Sequence, residues 1–258
     1  MMIPKEHGAW FMLYGPFFAG IAAAKSFDWS VGLLLIAATA FFMAHPPILT
    51  LVRLNRSQPA RRTMVRKAYK VMCICLALGI SVTLIVVVHE KLFLLIPLGA
   101  IAILFEALHT YMVYKKLDRS LLARCAAICS LTTLGPATYY VLTRRLDDTA
   151  FLLWLLCTLY FVSSVFYVKM RVDSFAGKKT AAHRKWLCGI YHALLAFGPA
   201  LFAALEWIPL LLAAGFFPVI LRAFWAILRV QKTLNLKRIG FAEVAYTTVF
   251  IVFLSIGV

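Results

Sequence analysis

Between Lys70 and His89 the chain reads VMCICLALGISVTLIVVV (71–88), eighteen residues without one charge. A helix of that length rises about 27 Å, close to the roughly 30 Å hydrocarbon core of a bilayer. Being apolar on every side, it has no water-facing stripe, so it must be buried in a large core or in lipid. Composition decides between the two. Of 258 residues, 63% are hydrophobic and mean hydropathy is +0.88, whereas a soluble domain sits nearer half apolar. Working outward from 71–88 gives nine apolar runs of roughly 17–23 residues, at 9–25, 30–52, 68–88, 92–114, 121–142, 149–169, 187–205, 208–229 and 240–257. Short polar connections join them, with no Ser/Pro linker, low-complexity tract or soluble domain. The expectation is an all-α, polytopic membrane helix bundle with nine transmembrane helices, residues 1–258 forming a single integral membrane domain.

The basic residues orient this bundle. With the N-terminus in the cytoplasm, 23 of the 27 Lys and Arg fall on that face, leaving Lys25, Lys91, Arg144 and Arg145 on the other. Basic loops are retained inside, so the N-terminus is predicted inside and the C-terminus outside. Five of the ten acids (Asp28, Glu90, Asp147, Asp148 and Glu206) fall outside. The net charge of +17 is thus explained by topology, which argues against a nucleic-acid partner. The first run lacks a small-x-small cleavage site with a polar region beyond and reads as a span rather than a signal peptide. Cys73, Cys75, Cys125, Cys129, Cys157 and Cys188 form no Cys-x-x-Cys pair or zinc-like cluster and read as small packing residues. No cofactor and no metal site is expected.

Gly-Pro recurs at 15–16, 135–136 and 198–199, in spans one, five and seven. Proline removes a ladder hydrogen bond and the glycine before it permits close approach. Ordinary helix packing is the plainer reading; the sharper one has three kinked helices around a cavity open to the cytoplasm. Two basic stretches follow the inner ends of spans two and six, HPPILTLVRLNRSQPARRTMVRKAYK (45–70) and YVKMRVDSFAGKKTAAHRKW (167–186). Arg53 and Arg56 are three apart, Lys169 and Asp173 four apart, so each pair shares a helical face. Topogenic charge and contact with anionic lipid account for such loops. Yet Arg outnumbers Lys five to two in the first, and the guanidinium fork suits phosphate or carboxylate. Within spans, ionisable residues are rare and default to functional or paired roles. Glu106 and His109 lie three apart in span four, and either a structural or a functional role fits them. Glu243 and Tyr246 repeat the spacing in span nine, where a structural ion pair is expected of Glu243. His45 precedes Pro46-Pro47 near the inner end of span two.

The opening PKEHGAW (4–10) and the Pro-Pro-x-x-x-x-x-Arg stretch at 46–53 resemble the YwiC-like family of bacterial membrane proteins. The layout, nine spans with basic loops after spans two and six, also resembles the UbiA superfamily of membrane prenyltransferases. That second resemblance implies a UbiA-like bundle in which the two loops carry Asp-rich motifs, binding magnesium and through it a prenyl diphosphate. The chain departs from that pattern. No acid lies between Asp28 and Glu90, and only Asp173 is acidic near 167–175. Magnesium usually needs one or two carboxylates beside phosphate oxygens and water, so a magnesium-bridged diphosphate is not expected.

The residues present suggest direct anion binding instead. Lys5, Arg53, Asn55, Arg56, Arg61, Tyr167, Lys169 and Arg171 are the candidate substrate-binding residues. Glu6 and His7 are the candidate acid/base pair, His7 because it titrates near neutral pH. The favoured expectation is a transferase or binder acting on an isoprenoid or lipid phosphate in the bacterial cytoplasmic membrane, with membrane lipids as partners. A proton-coupled small-anion transporter built around Glu106 and His109, or a membrane assembly partner of a larger complex, are the alternatives.

Overall fold

The structure is a computed structural model that describes residues 7–54, 62–229 and 234–257. All regular structure among them is helical: α1 (His7–Ala24), α2 (Trp29–Leu54), α3 (Arg62–His89), α4 (Leu95–Tyr114), α5 (Leu121–Thr132), α6 (Leu134–Thr143), α7 (Asp148–Phe175), α8 (Ala181–Ala204), α9 (Leu210–Ala214), α10 (Phe217–Leu228) and α11 (Leu236–Gly257). Among the described residues eight helical segments are long and apolar enough to cross a membrane, and Gly8–Ala24 is a shorter apolar helix. The protein is therefore a polytopic helical membrane bundle. On α3 the side chains of Ile74, Leu78, Ile80, Leu84, Ile85 and Val88 are exposed. An apolar face of that extent is untenable in water and belongs against acyl chains.

Two of the segments are interrupted. Leu121–Thr143 breaks at Thr133 into α5 and α6. The cause is local: Pro136 has no N–H for the Thr132 carbonyl, and proline sits comfortably in the first turn of a new helix. Leu210–Leu228 likewise breaks at Gly215–Phe216, with Pro218 in the first turn of α10. Hydroxyls inside the apolar segments bond back to their own helices, Thr138 to the Leu134 carbonyl (2.8 Å), Thr83 to Gly79 (2.8 Å) and Ser163 to Tyr160 (2.6 Å). Each of these three hydroxyls thus finds an acceptor within its own helix.

The helices group into two compact units, Met1–Trp154 and Leu155–Val258. In the first, α2 packs along α3 and α1 along α6, around a core that includes Leu13, Phe17, Leu34, Phe42, Val86, Leu134 and Tyr140. The α1–α6 seam accounts for the Gly-Pro pair at 135–136, which packs against Gly20 and Pro16 of α1. A Cβ on Gly20 would stand 2.5 Å from the Gly135 carbonyl oxygen and 2.6 Å from Thr138 Cβ, and one on Gly135 would stand 3.3 Å from the Pro16 oxygen. Gly20 and Gly135 let two backbones touch, which is the packing reading for the pair at 135–136, whereas an added Cβ on Gly198 would meet nothing within 4 Å. In the second unit the core joins Tyr167 and Met170 of α7, Cys188 of α8, and Ala223 and Ala226 of α10.

Candidate functional site

The second unit concentrates charge at the C-terminal part of α7. Tyr167 is buried there, and its hydroxyl accepts a hydrogen bond from Arg171 Nη1, one turn on, at 3.1 Å. Arg222 of α10 lays its guanidinium over the Tyr167 ring, 3.9 Å from the centroid, with the Tyr246 ring of α11 at 5.0 Å. Arg222 Nη1 bonds Glu243 Oε1 of α11, and Ser164 Oγ donates to the other Glu243 oxygen at 2.5 Å. The Arg222 side chain is only 8% exposed, yet its Nε and Nη2 have no hydrogen-bond partner among the described residues. The tyrosine face meets the flat π surface of the guanidinium, but the in-plane N–H donors need acceptors of their own. Buried donors without acceptors are rare in folded proteins.

Beyond this cluster, Asp173 is buried and gripped by Lys178 Nζ (2.9 Å) and Arg184 Nε (3.5 Å). The lone acid of the second basic stretch is thus committed to ion pairs that hold the turn between α7 and α8. Lys169 is half-buried on α7. In the first unit, Arg53 ends α2 and pairs with Asp118 Oδ2 at 3.5 Å, with its side chain 56% exposed. Lys5, Glu6, Asn55, Arg56 and Arg61 lie outside the described residues, and His7 is described only as the first helical residue of α1.

A second cluster lies within the first unit. His45 of α2 meets Glu106 and His109 of α4 where these two helices pack. His45 Nε2 is 3.1 Å and His109 Nδ1 3.5 Å from Glu106 Oε1, and the two nitrogens are 3.3 Å apart. Thr110 Oγ1 also reaches Glu106 Oε1, at 3.4 Å. The i,i+3 spacing of Glu106 and His109 foretold their shared face. The participation of His45, sixty-four residues earlier, required knowing that α2 lies beside α4. Arg222 was likewise legible only as one more loop-side charge, because its spacing says nothing of α7 and α11. The ion pair expected of Glu243 is present, with Arg222 as its partner.

Fold and clusters together define a class: a multi-pass helical membrane protein with paired charges buried between its helices. Within that class the chain belongs to the YwiC-like protein family, whose profile matches residues 3–139. It is similar to the uncharacterized protein YwiC of Bacillus subtilis (strain 168), at 31% identity over 220 residues covering 84% of this chain and 86% of the relative. It is also similar to an uncharacterized protein of Haemophilus influenzae (strain ATCC 51907 / DSM 11121 / KW20 / Rd), at 23% identity over 257 residues covering 100% of this chain and 98% of the relative. No solved structure matches.

Proposed function

We propose that the protein resides in the bacterial cytoplasmic membrane and binds the anionic head of an amphiphile, such as an isoprenoid or lipid phosphate, at Tyr167, Arg171 and Arg222. One observation carries the reading. Arg222 is a buried guanidinium with two donor nitrogens that no acceptor among the described residues meets. A phosphate or carboxylate accepts such a fork with charge-assisted bonds roughly twice as strong as neutral ones. Glu243 meets only Nη1 of Arg222, so acceptor oxygens of a bound anion at Nε and Nη2 would complete the bonding of a guanidinium in a low-dielectric setting where bare donors are costly. The acids nearby are already engaged, Asp173 by Lys178 and Arg184, and Glu243 by Arg222 and Ser164. Contact with the head therefore runs through arginine rather than through a magnesium bridge. The apolar tail would lie along the lipid-exposed helix faces.

Native mass spectrometry of the protein in mild detergent, with lipidomics of what it retains, tests this. The wild type should carry a stoichiometric phosphate- or carboxylate-bearing amphiphile. The double variant Arg222→Gln/Glu243→Gln removes both charges of the pair together, so that neither is left buried alone, and should lose that ligand. Arg53→Ala, in the other unit, should keep it. Bulk lipid at equal levels in all three would sink the proposal.

A further inference from the structure

We infer that His45, Glu106 and His109 form a binding site for a divalent transition-metal ion, with zinc the best fit, independent of the anion cluster in the second unit. The three donor atoms, His45 Nε2, Glu106 Oε1 and His109 Nδ1, converge with separations of 3.1, 3.3 and 3.5 Å. Ligands about 2.0–2.1 Å from a tetrahedral zinc stand about 3.3 Å from one another. An octahedral ion at a similar bond length would bring neighbouring ligands to about 3.0 Å. The observed spacing is that of one face of a tetrahedron. Two imidazoles and a carboxylate also make the donor set that zinc and iron(II) prefer over magnesium or calcium, which select oxygen.

Proton counting points the same way. Each ring nitrogen is either a donor or an acceptor, never both. With Glu106 ionised, protons on both rings leave two N–H groups facing each other at 3.3 Å. A proton on only one ring leaves the other nitrogen's lone pair facing the carboxylate. With the carboxylate ionised, neither assignment makes all three contacts attractive, whereas a central cation uses every lone pair at once. The competing arrangement, a neutral Glu106 carboxyl bridging the two rings, takes up no metal.

The scaffold suits a metal site. Helical bundles commonly build such sites from a Glu and a His three residues apart on one helix, completed by a ligand from a facing helix. Here α4 supplies Glu106 and His109, and α2 supplies His45. Pro46 and Pro47 follow His45 inside α2 and withhold two N–H groups from the ladder, letting the helix adjust at that turn. Thr110 donates to the ligating oxygen and would hold the carboxylate in place, as outer partners of metal ligands do. His109 is nearly enclosed, at 11% exposed, whereas His45 and Glu106 are 28% and 33% exposed. One side of the cluster is therefore open to a fourth ligand, the arrangement of zinc sites that keep a position for water or substrate.

The test is metal binding by the full-length protein in mild detergent, after chelator treatment. Zinc is quantified by equilibrium dialysis, and cobalt(II) is titrated to report ligand geometry by its visible absorption. The wild type should bind one zinc per chain, show the intense bands of tetrahedral cobalt, and melt at a higher temperature with zinc than without. Glu106→Gln and His109→Ala should each weaken binding by at least about tenfold, the scale of even an outer-partner loss. His183→Ala, at an exposed histidine of α8, should bind like the wild type and so discount adventitious binding by surface histidine. The wild-type cobalt spectrum and zinc-dependent melting stand even if a ligand variant folds poorly. Absence of stoichiometric zinc in the wild type, or its retention by His109→Ala, would overturn the inference.

Discussion

Glu90 sits in the turn after α3, where Arg144 grips it twice: Nη2 reaches the carboxylate at 2.5 Å and Nη1 the Glu90 carbonyl oxygen at 2.8 Å. Arg144 itself ends α6 in the left-handed region, at φ 61°, its N–H bonded to the Tyr140 carbonyl. The link joins the turn after α3 to the end of α6, outside the spans. The Arg144 bond, with His89 Nδ1 at 3.2 Å adding to it, pulls the Glu90 carboxyl below its ordinary value of 4.5. A carboxyl depressed in the folded state stabilises the protein above the unfolded value, and that gain is lost as pH falls through the folded one. The melting temperature of Glu90→Gln should therefore lie below that of the wild type at pH 7. The gap should close as pH drops well under 4.5; a gap that persists at low pH would show that the link acts through shape alone. At this scale the sequence was informative where partners share a helix. Glu106 and His109 were visible as a pair, and the rarity of acids in spans marked Glu243 for a counter-ion. His45 and Arg222 stayed hidden because their partners are supplied by other helices, and hydropathy carries no record of which helices touch.

The apolar runs marked where the helices lie, because the bilayer demands about twenty such residues per crossing, but α3, α7 and α8 extend beyond their runs into charged sequence, to Arg62, Phe175 and Ala181. Of the three Gly-Pro sites, the one at 135–136 coincides with the break at Thr133, while Pro16 and Pro199 lie inside unbroken α1 and α8, and the break at Gly215–Phe216 had no Gly-Pro pair to mark it. Nor does sequence say which glycine touches what, and this is where helix-level energetics reside. Gly20 of α1 has no room: an added Cβ would stand within 3.0 Å of both the Gly135 oxygen and Thr138. Membrane helices gain stability mainly from such close packing, having little hydrophobic drive between them. Gly20→Ala should force α1 away from α6 and cost about 1–3 kcal/mol, the usual scale of overpacking. Gly99 of α4 meets nothing within 4 Å of an added Cβ, so Gly99→Ala should be neutral, or slightly stabilising through helix propensity. Paired melting curves in detergent check both; equal melting of the two variants would remove the close-approach account of the α1–α6 seam.

For the molecule as a whole, the open quantity is the number of crossings. It turns on α1, whose eighteen residues rise about 27 Å against a core of about 30 Å. The loops after α2, α4 and α7 and the connection before α11 hold nearly all the basic charge, and the positive-inside rule places them in the cytoplasm together. Counting from the loop after α2, seven crossings then put the C-terminus outside, whatever α1 does. If α1 crosses, Lys5 joins the cytoplasmic face and Lys25 the opposite one. If it does not, both lie outside with Asp28, and the charge asymmetry loses a contributor without gaining one. Crossing is the arrangement that agrees with the charge bias, and the shortfall in length is small enough for local thinning of the bilayer to absorb. Two reporters separate the possibilities. Alkaline phosphatase fused after Val258 folds only outside and should be active. A fluorescent protein that matures only in the cytoplasm, fused ahead of Met1, should glow. A dark N-terminal fusion beside an active C-terminal phosphatase would leave eight crossings and α1 lying along the outer surface. An inactive C-terminal phosphatase would instead invert the assignment of every basic loop.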